Sequence, residues 1–104
     1  MFTITLYVSK PNVMSYTHFQ ERERIENLIA TYFGGFTRVE NAKGAWVNPD
    51  GNLVIDEVDR YEILSLRIKK AIHEDMELIV NQFKKSYDQE CLPYSIVESE
   101  NIFG

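Results

Sequence analysis

Two long runs of alternating character meet at Asn48-Pro49-Asp50-Gly51, and this junction limits the fold more than any other stretch. Pro49 presets φ and Asp50-Gly51 tolerates positive φ, so the chain must reverse there. Before it, residues 36–39 and 44–47 read as one strand interrupted at Asn41-Ala42-Lys43-Gly44, with Gly44 the expected bulge. After it, residues 53–68 carry a second strand, in which Leu64, Leu66 and Ile68 alternate with Ile63, Ser65 and Arg67. Together they predict an antiparallel hairpin.

The flanking segments must cover that hairpin. Phe2, Ile4, Leu6 and Val8 alternate with Thr3, Thr5 and Tyr7, which predicts a first strand apolar enough on both faces for the sheet centre. Pro11, within Ser9-Lys10-Pro11-Asn12, ends it, because proline cannot donate to a ladder. Thr17 and Gln20 have capping-box spacing, and Ile25, Leu28, Ile29, Tyr32 and Phe33 then share one helical face. Glu21, Arg22, Glu23, Arg24 and Glu26 are expected at the start and on the solvated side, and Gly34 at the left-handed C-terminal cap. A second helix is predicted over 71–89 from Ile72, Met76, Ile79, Val80, Phe83 and Tyr87. His73, Glu74, Asp75 and Glu77 should face outward, with Lys84 and Lys85 at the favourable C-terminal end. Residues 92–97 read as a final strand, and a flexible tail is expected from about 98.

The order β-α-β-β-α-β predicts an α+β, ferredoxin-like sandwich: one four-stranded antiparallel sheet with two helices on one face and the first and third strands central. At 104 residues the chain is expected to form a single domain, 1–104, with one core. The uncovered sheet face invites a ligand, a partner or a second copy.

Composition narrows the chemistry. The net charge of −5 argues against broad nucleic-acid binding, which needs a basic face. A lone cysteine, Cys91, cannot close an intrachain disulfide, suits a reducing compartment and is expected to be buried. The opening residues resemble neither a signal peptide nor a membrane span, so a cytoplasmic protein is expected. No metal-ligand spacing or phosphate-loop pattern occurs, and no cofactor is expected.

Several residues around the hairpin have chemistry to offer. Asp56, Glu57, Asp59 and Glu62 form an acid cluster; it suits general acid–base work or a hard cation, and equally a solvated edge pairing with Arg38 and Arg60. Trp46, the single tryptophan, can stack on a planar ligand or anchor a core or dimer interface. Thr37, Arg38, Lys43 and Arg60 make a basic-polar set suited to an anionic molecule, or to pairing with the neighbouring acids. His18 and His73 stand apart, with no nucleophile or ligand companion.

The motif Phe33-Gly34-Gly35-x-Thr37, followed by Gly44-x-Trp46, Gly51 and Glu57, resembles a family of short, uncharacterised bacterial and phage proteins. The likeness covers about a third of the chain directly and departs from the family in the loop around Ser9–Val13. It implies a ferredoxin-like fold and brings no established reaction.

The resulting expectation is a non-enzymatic binding protein, a homodimer or higher oligomer. It would be a phage-type, anti-defence accessory that sequesters a small anionic, nucleotide-like molecule near Thr37, Arg38, Lys43, Trp46, Glu57 and Arg60. Two alternatives remain open. One is a small dimeric enzyme with Glu57 or Asp59 as general base; the other is a protein-binding inhibitor with an acidic surface.

Overall fold

A computed structural model describes residues 1–98; the expected tail beyond Glu98 lies outside the described residues. The elements are β1 (Phe2–Ser9), α1 (Tyr16–Phe33), β2 (Thr37–Val47), β3 (Leu53–Ser65), α2 (Lys69–Tyr87) and β4 (Tyr94–Glu98). They form one antiparallel sheet in the order β2-β3-β1-β4, so β1 and β3 are central and the fold is the ferredoxin-like α+β sandwich.

The alternating apolar positions explain the layer arrangement. Ile4, Leu6 and Val8 of β1 and Tyr61 and Ile63 of β3 point to one face and are fully buried. Ile25 and Ile29 of α1, and Ile72, Met76, Ile79, Val80, Phe83 and Tyr87 of α2, close over them. Tyr61 sits at the centre, its ring 5.6 Å from both Phe36 and Phe83. The opposite face, with Tyr7, Leu64 and Val97, is left uncovered by the helices.

Several local expectations are corrected. Helix α1 is capped by Ser15 rather than Thr17: Ser15 Oγ accepts from the His18 amide at 3.2 Å, and His18 Nδ1 accepts from the Ser15 amide at 3.1 Å. A histidine thus fills the place of the usual glutamate or glutamine, and no acid lies in the first turn. Arg22 and Glu26 leave the solvated side, because positions 22, 25, 26 and 29 recur at helical spacing and share the face that buries Ile25 and Ile29. Gly34 does cap the helix, at φ 85°. Strand β3 ends at Ser65, leaving Leu66 and Ile68 exposed, and α2 begins at Lys69. Lys84 and Lys85 do occupy its last turn. Cys91 is exposed, because it precedes β4 in the connecting loop instead of facing the core.

The bulge also moves. Gly44 pairs regularly with Asp56, whereas the register shifts between Val39 and Ala42. Glu40 and Asn41 together face Asp59, and Asn41 takes φ 57°, which asparagine tolerates better than most residues.

Candidate functional site

The bulge, the end of β1 and the middle of α1 converge on Asp59. This carboxylate is only 1% exposed. Lys10 Nζ lies 3.2 Å from Oδ1 and Arg22 Nη1 lies 3.6 Å from Oδ2. The Asn41 amide donates to Oδ1 at 3.3 Å, and Lys10 also donates to the Asn41 side-chain oxygen. Burying an unpaired carboxylate is costly, so these partners are what make the position tolerable.

The network extends inward. Arg22 reaches Glu40 at 3.7 Å, Arg38 Nη2 holds Glu40 at 2.6 Å, and Arg38 Nη1 grips both oxygens of Glu26. The Tyr61 hydroxyl donates to Glu26 Oε2 at 2.7 Å. Lys10, Arg22 and Arg38 therefore balance Asp59, Glu26 and Glu40. Burial acts to lower the Arg38 pKa, but Glu26 outweighs it and holds the guanidinium above its ordinary range. Burial, then the bond to Glu26, raises the Tyr61 phenol well above the usual tyrosine range. Tyr87, facing the same charges, is pushed up to about 12, chiefly by burial. Its hydroxyl and Asp59 Oδ2 are buried and make no hydrogen bond among the described residues.

Lys10 also belongs to a groove of about 490 Å³. Its walls are Ser9 at the end of β1, the loop after it (Lys10, Pro11, Asn12, Met14), Ile55, Asp56 and Glu57 of β3, and Gln89 beyond α2. The hairpin runs past the helices, which is why Glu57 is open while Asp59, two residues on and on the same face, is sealed. Asp59 does not line the groove, so of the two proposed bases only Glu57 stands where a bound molecule would be.

The six residues singled out from the sequence do not form one cluster. Thr37 and Arg60 lie on the uncovered face, while Arg38 lies on the helix face, taken up by Glu26 and Glu40. Arg60 lies against Glu62, at 3.1 Å. Lys43 stands directly opposite Glu57 across the hairpin. Trp46 is half-exposed on the uncovered side, and its indole donates to Asp56 Oδ2 at 3.1 Å. Glu57, with Lys43 opposite it, is thus the part of the set at the groove, while Trp46 and the Asp56 carboxylate it bonds turn to the uncovered face. Sequence reasoning missed Lys10, Asn12 and Gln89. Polar residues flanking a proline immediately after a central strand were the available signal, since such loops sit on a rigid support.

A second, shallower pocket of about 270 Å³ is lined by Phe33, Gly34, Gly35, Phe36, Thr37, Glu62 and Leu64. Elsewhere the Tyr94 hydroxyl donates to Glu77 at 3.0 Å and bonds His73 Nδ1 at 3.0 Å, tying β4 to α2. Burial, then Glu77, pushes that phenol up to about 12. The described residues contain no group of three or more His, Cys, Asp or Glu able to hold a metal ion, and no helix long and apolar enough to cross a membrane.

No protein-family model matches the chain, and no curated protein matches it. Solved structures do. The divalent cation tolerance protein CutA1 from Thermus thermophilus superposes with a TM-score of 0.66 at 10% identity, covering 97% of this chain and 86% of that one. A phage SAM lyase in its apo state gives 0.65 at 18% identity, covering 92% and 78%. A phage SAM lyase in complex with S-methyl-5'-thioadenosine gives 0.62 at 15%, covering 93% and 80%. At these identities the likeness establishes the fold and leaves the activity to the site.

Proposed function

We propose that this protein binds a small nucleotide-like molecule in the groove between the Ser9–Met14 loop and the hairpin. The observation that carries the reading is the groove itself. Its volume of about 490 Å³ suits a small molecule, and its lining carries one ammonium, Lys10, and the Glu57 carboxylate on the same face of the sheet. Carboxylates accept ribose hydroxyls or amines, and the ammonium takes an anionic group. One structural neighbour is a phage enzyme described with a bound nucleoside, S-methyl-5'-thioadenosine, which is consistent with this ligand class and with a phage-type accessory that sequesters it. Glu57 and Lys43 are assigned to the ligand side. Trp46 holds Asp56, while Thr37, Arg38 and Arg60 would act through the sheet rather than in the groove.

The same reading includes self-association. Ala45 pairs with Ile55, and Val47 with Leu53, on one face of the hairpin beyond the helices; Val47, Leu53 and Ile55 are all strongly exposed. A second copy covering these pairs would bury them and wall the groove.

Calorimetry and thermal shift against a panel of adenosine, guanosine and their mono- and diphosphates test the proposal, with sedimentation velocity reporting subunit number. Binding in the micromolar range, weakened at least about tenfold by Glu57→Gln, is expected. No heat and no shift with any nucleotide would remove the reading.

A second reading has one observation in its favour: Glu57 lines the groove while remaining exposed. In that reading Glu57 is a general base toward the bound molecule. Product formation by chromatography, lost in Glu57→Gln with ligand binding retained, separates it from sequestration.

A further inference from the structure

We propose that Lys10 is the anion-receiving residue of the groove and that Asp59 holds it in reserve, releasing it when an anionic ligand arrives. This rests on the groove being a ligand site. Three observations lead to it. First, Lys10 belongs to both places: it lines the groove, and its ammonium lies 3.2 Å from the buried Asp59 carboxylate. Second, Asp59 has more partners than one charge requires. Arg22 stands 3.6 Å from Oδ2 and the Asn41 amide donates to Oδ1 at 3.3 Å. Withdrawing Lys10 therefore leaves a carboxylate that still has a cation and an amide, and avoids the large penalty of an isolated buried charge. Third, Lys10 is the single cation among the lining residues, and the lining carboxylate on its own face of the sheet is Glu57, since Asp56 turns to the other face and bonds Trp46. An anionic group entering at the Glu57 end of the groove meets a carboxylate of its own sign.

Lysine suits the transfer. Its ammonium is a point charge with three donors on a flexible four-carbon stem, so it can exchange one oxygen for another without matching a rigid fork. Arg22, held between Glu40 and Asp59 behind it, stays in place. The groove is thus polarised. Its preferred ligand carries hydroxyl or amino donors toward Glu57 and a carboxylate or phosphate toward Lys10. Affinity for the anionic part is set by competition with Asp59 and the Asn41 side-chain oxygen.

The test compares adenosine with adenosine monophosphate by calorimetry, and follows the Lys10 side-chain ammonium by ¹⁵N NMR during titration with inorganic phosphate. Wild-type protein should prefer the monophosphate by about tenfold or more. Lys10→Met should abolish the preference by weakening monophosphate binding about tenfold or more. Phosphate should shift the Lys10 resonance ahead of other lysines. Asp59→Asn should tighten phosphate binding by freeing Lys10; Asn41→Gly, which removes the other acceptor, should act in the same direction if Asp59→Asn does not fold. A preference that survives Lys10→Met, or a Lys10 resonance unmoved by phosphate, overturns the proposal. If phosphate moves Lys10 while no nucleoside or nucleotide binds, the Lys10 assignment stands and the nucleotide reading falls.

Discussion

Two tyrosines under the same helices should respond oppositely to losing their hydroxyls. Tyr61 donates to Glu26 Oε2 at 2.7 Å, whereas the buried Tyr87 hydroxyl makes no hydrogen bond among the described residues. In Tyr61→Phe the ring contacts with Phe36 and Phe83 remain, so the change isolates one charge-assisted bond, ordinarily worth ~1.5–3 kcal/mol. Glu26 keeps both contacts to Arg38 and is not left unpaired, which places the cost near the lower end, about 1.5 kcal/mol. For a domain of this size that lowers Tm by roughly 6–12 °C. Tyr87→Phe removes a hydroxyl whose lost hydration nothing repays, and should be neutral or stabilising by up to ~1 kcal/mol. Urea denaturation followed by circular dichroism and by Trp46 fluorescence measures both, with an unchanged m-value confirming that only stability moved. Equal losses in the two variants, or a neutral Tyr61→Phe, would refute the hydrogen-bond assignments on which the network rests.

The same phenols predict an alkaline limit. Their pKa values are raised in the folded state, so stability is fully present below the unfolded value of about 10 and falls as pH climbs toward about 12, where the native state must give up protons it holds more tightly. Tyr61→Phe should flatten that decline in a pH series of melts. Gly34→Ala should cost ~1–2 kcal/mol: an added Cβ would meet nothing within 4 Å, so the penalty is the left-handed conformation at φ 85° alone. Asn41→Val should cost ~1–3 kcal/mol in the same assay, because a β-branched residue resists φ 57°, while Asn41→Gly relieves the backbone strain.

Much of the architecture was legible because the periodicities were long. Ile72 to Tyr87 and Phe2 to Val8 each repeat at one spacing, and Asn48-Pro49-Asp50-Gly51 marks where the hairpin turns. The site was less legible because it depends on burial at the ends of those patterns. Glu57 and Asp59 share strand parity, so the sequence treats them alike, yet the helices cover only Asp59. Arg22 and Glu26 sit within a run of charges that reads as a solvated face. Their spacing from Ile25 and Ile29 nevertheless puts both on the inward face, where Asp59 and Arg38, distant in sequence, supply the opposite charges that make it tolerable. Cys91 failed in the opposite direction: adjacency to a strand does not bury a residue that falls in the loop before it. Lys10 gave no signal of its partner, which lies 49 positions away by sequence number and meets it through the pairing of Ser9 with Val58 and Val8 with Asp59.

The extra residue at Glu40-Asn41 acts on β2 as a frameshift acts on a message. Before it, Thr37 and Val39 share the uncovered face; after it, Ala42, Gly44 and Trp46 do. From Val39 to Val47 the chain takes eight steps where Arg60 to Leu53 takes seven, so deleting Asn41 would restore a regular ladder with Lys43 still opposite Glu57 and Trp46 still opposite Val54. What the deletion would remove is the amide that donates to Asp59 and the side-chain oxygen that accepts from Lys10. The added residue is therefore dispensable to the pairing of the arm, and its place in the molecule is at the buried carboxylate.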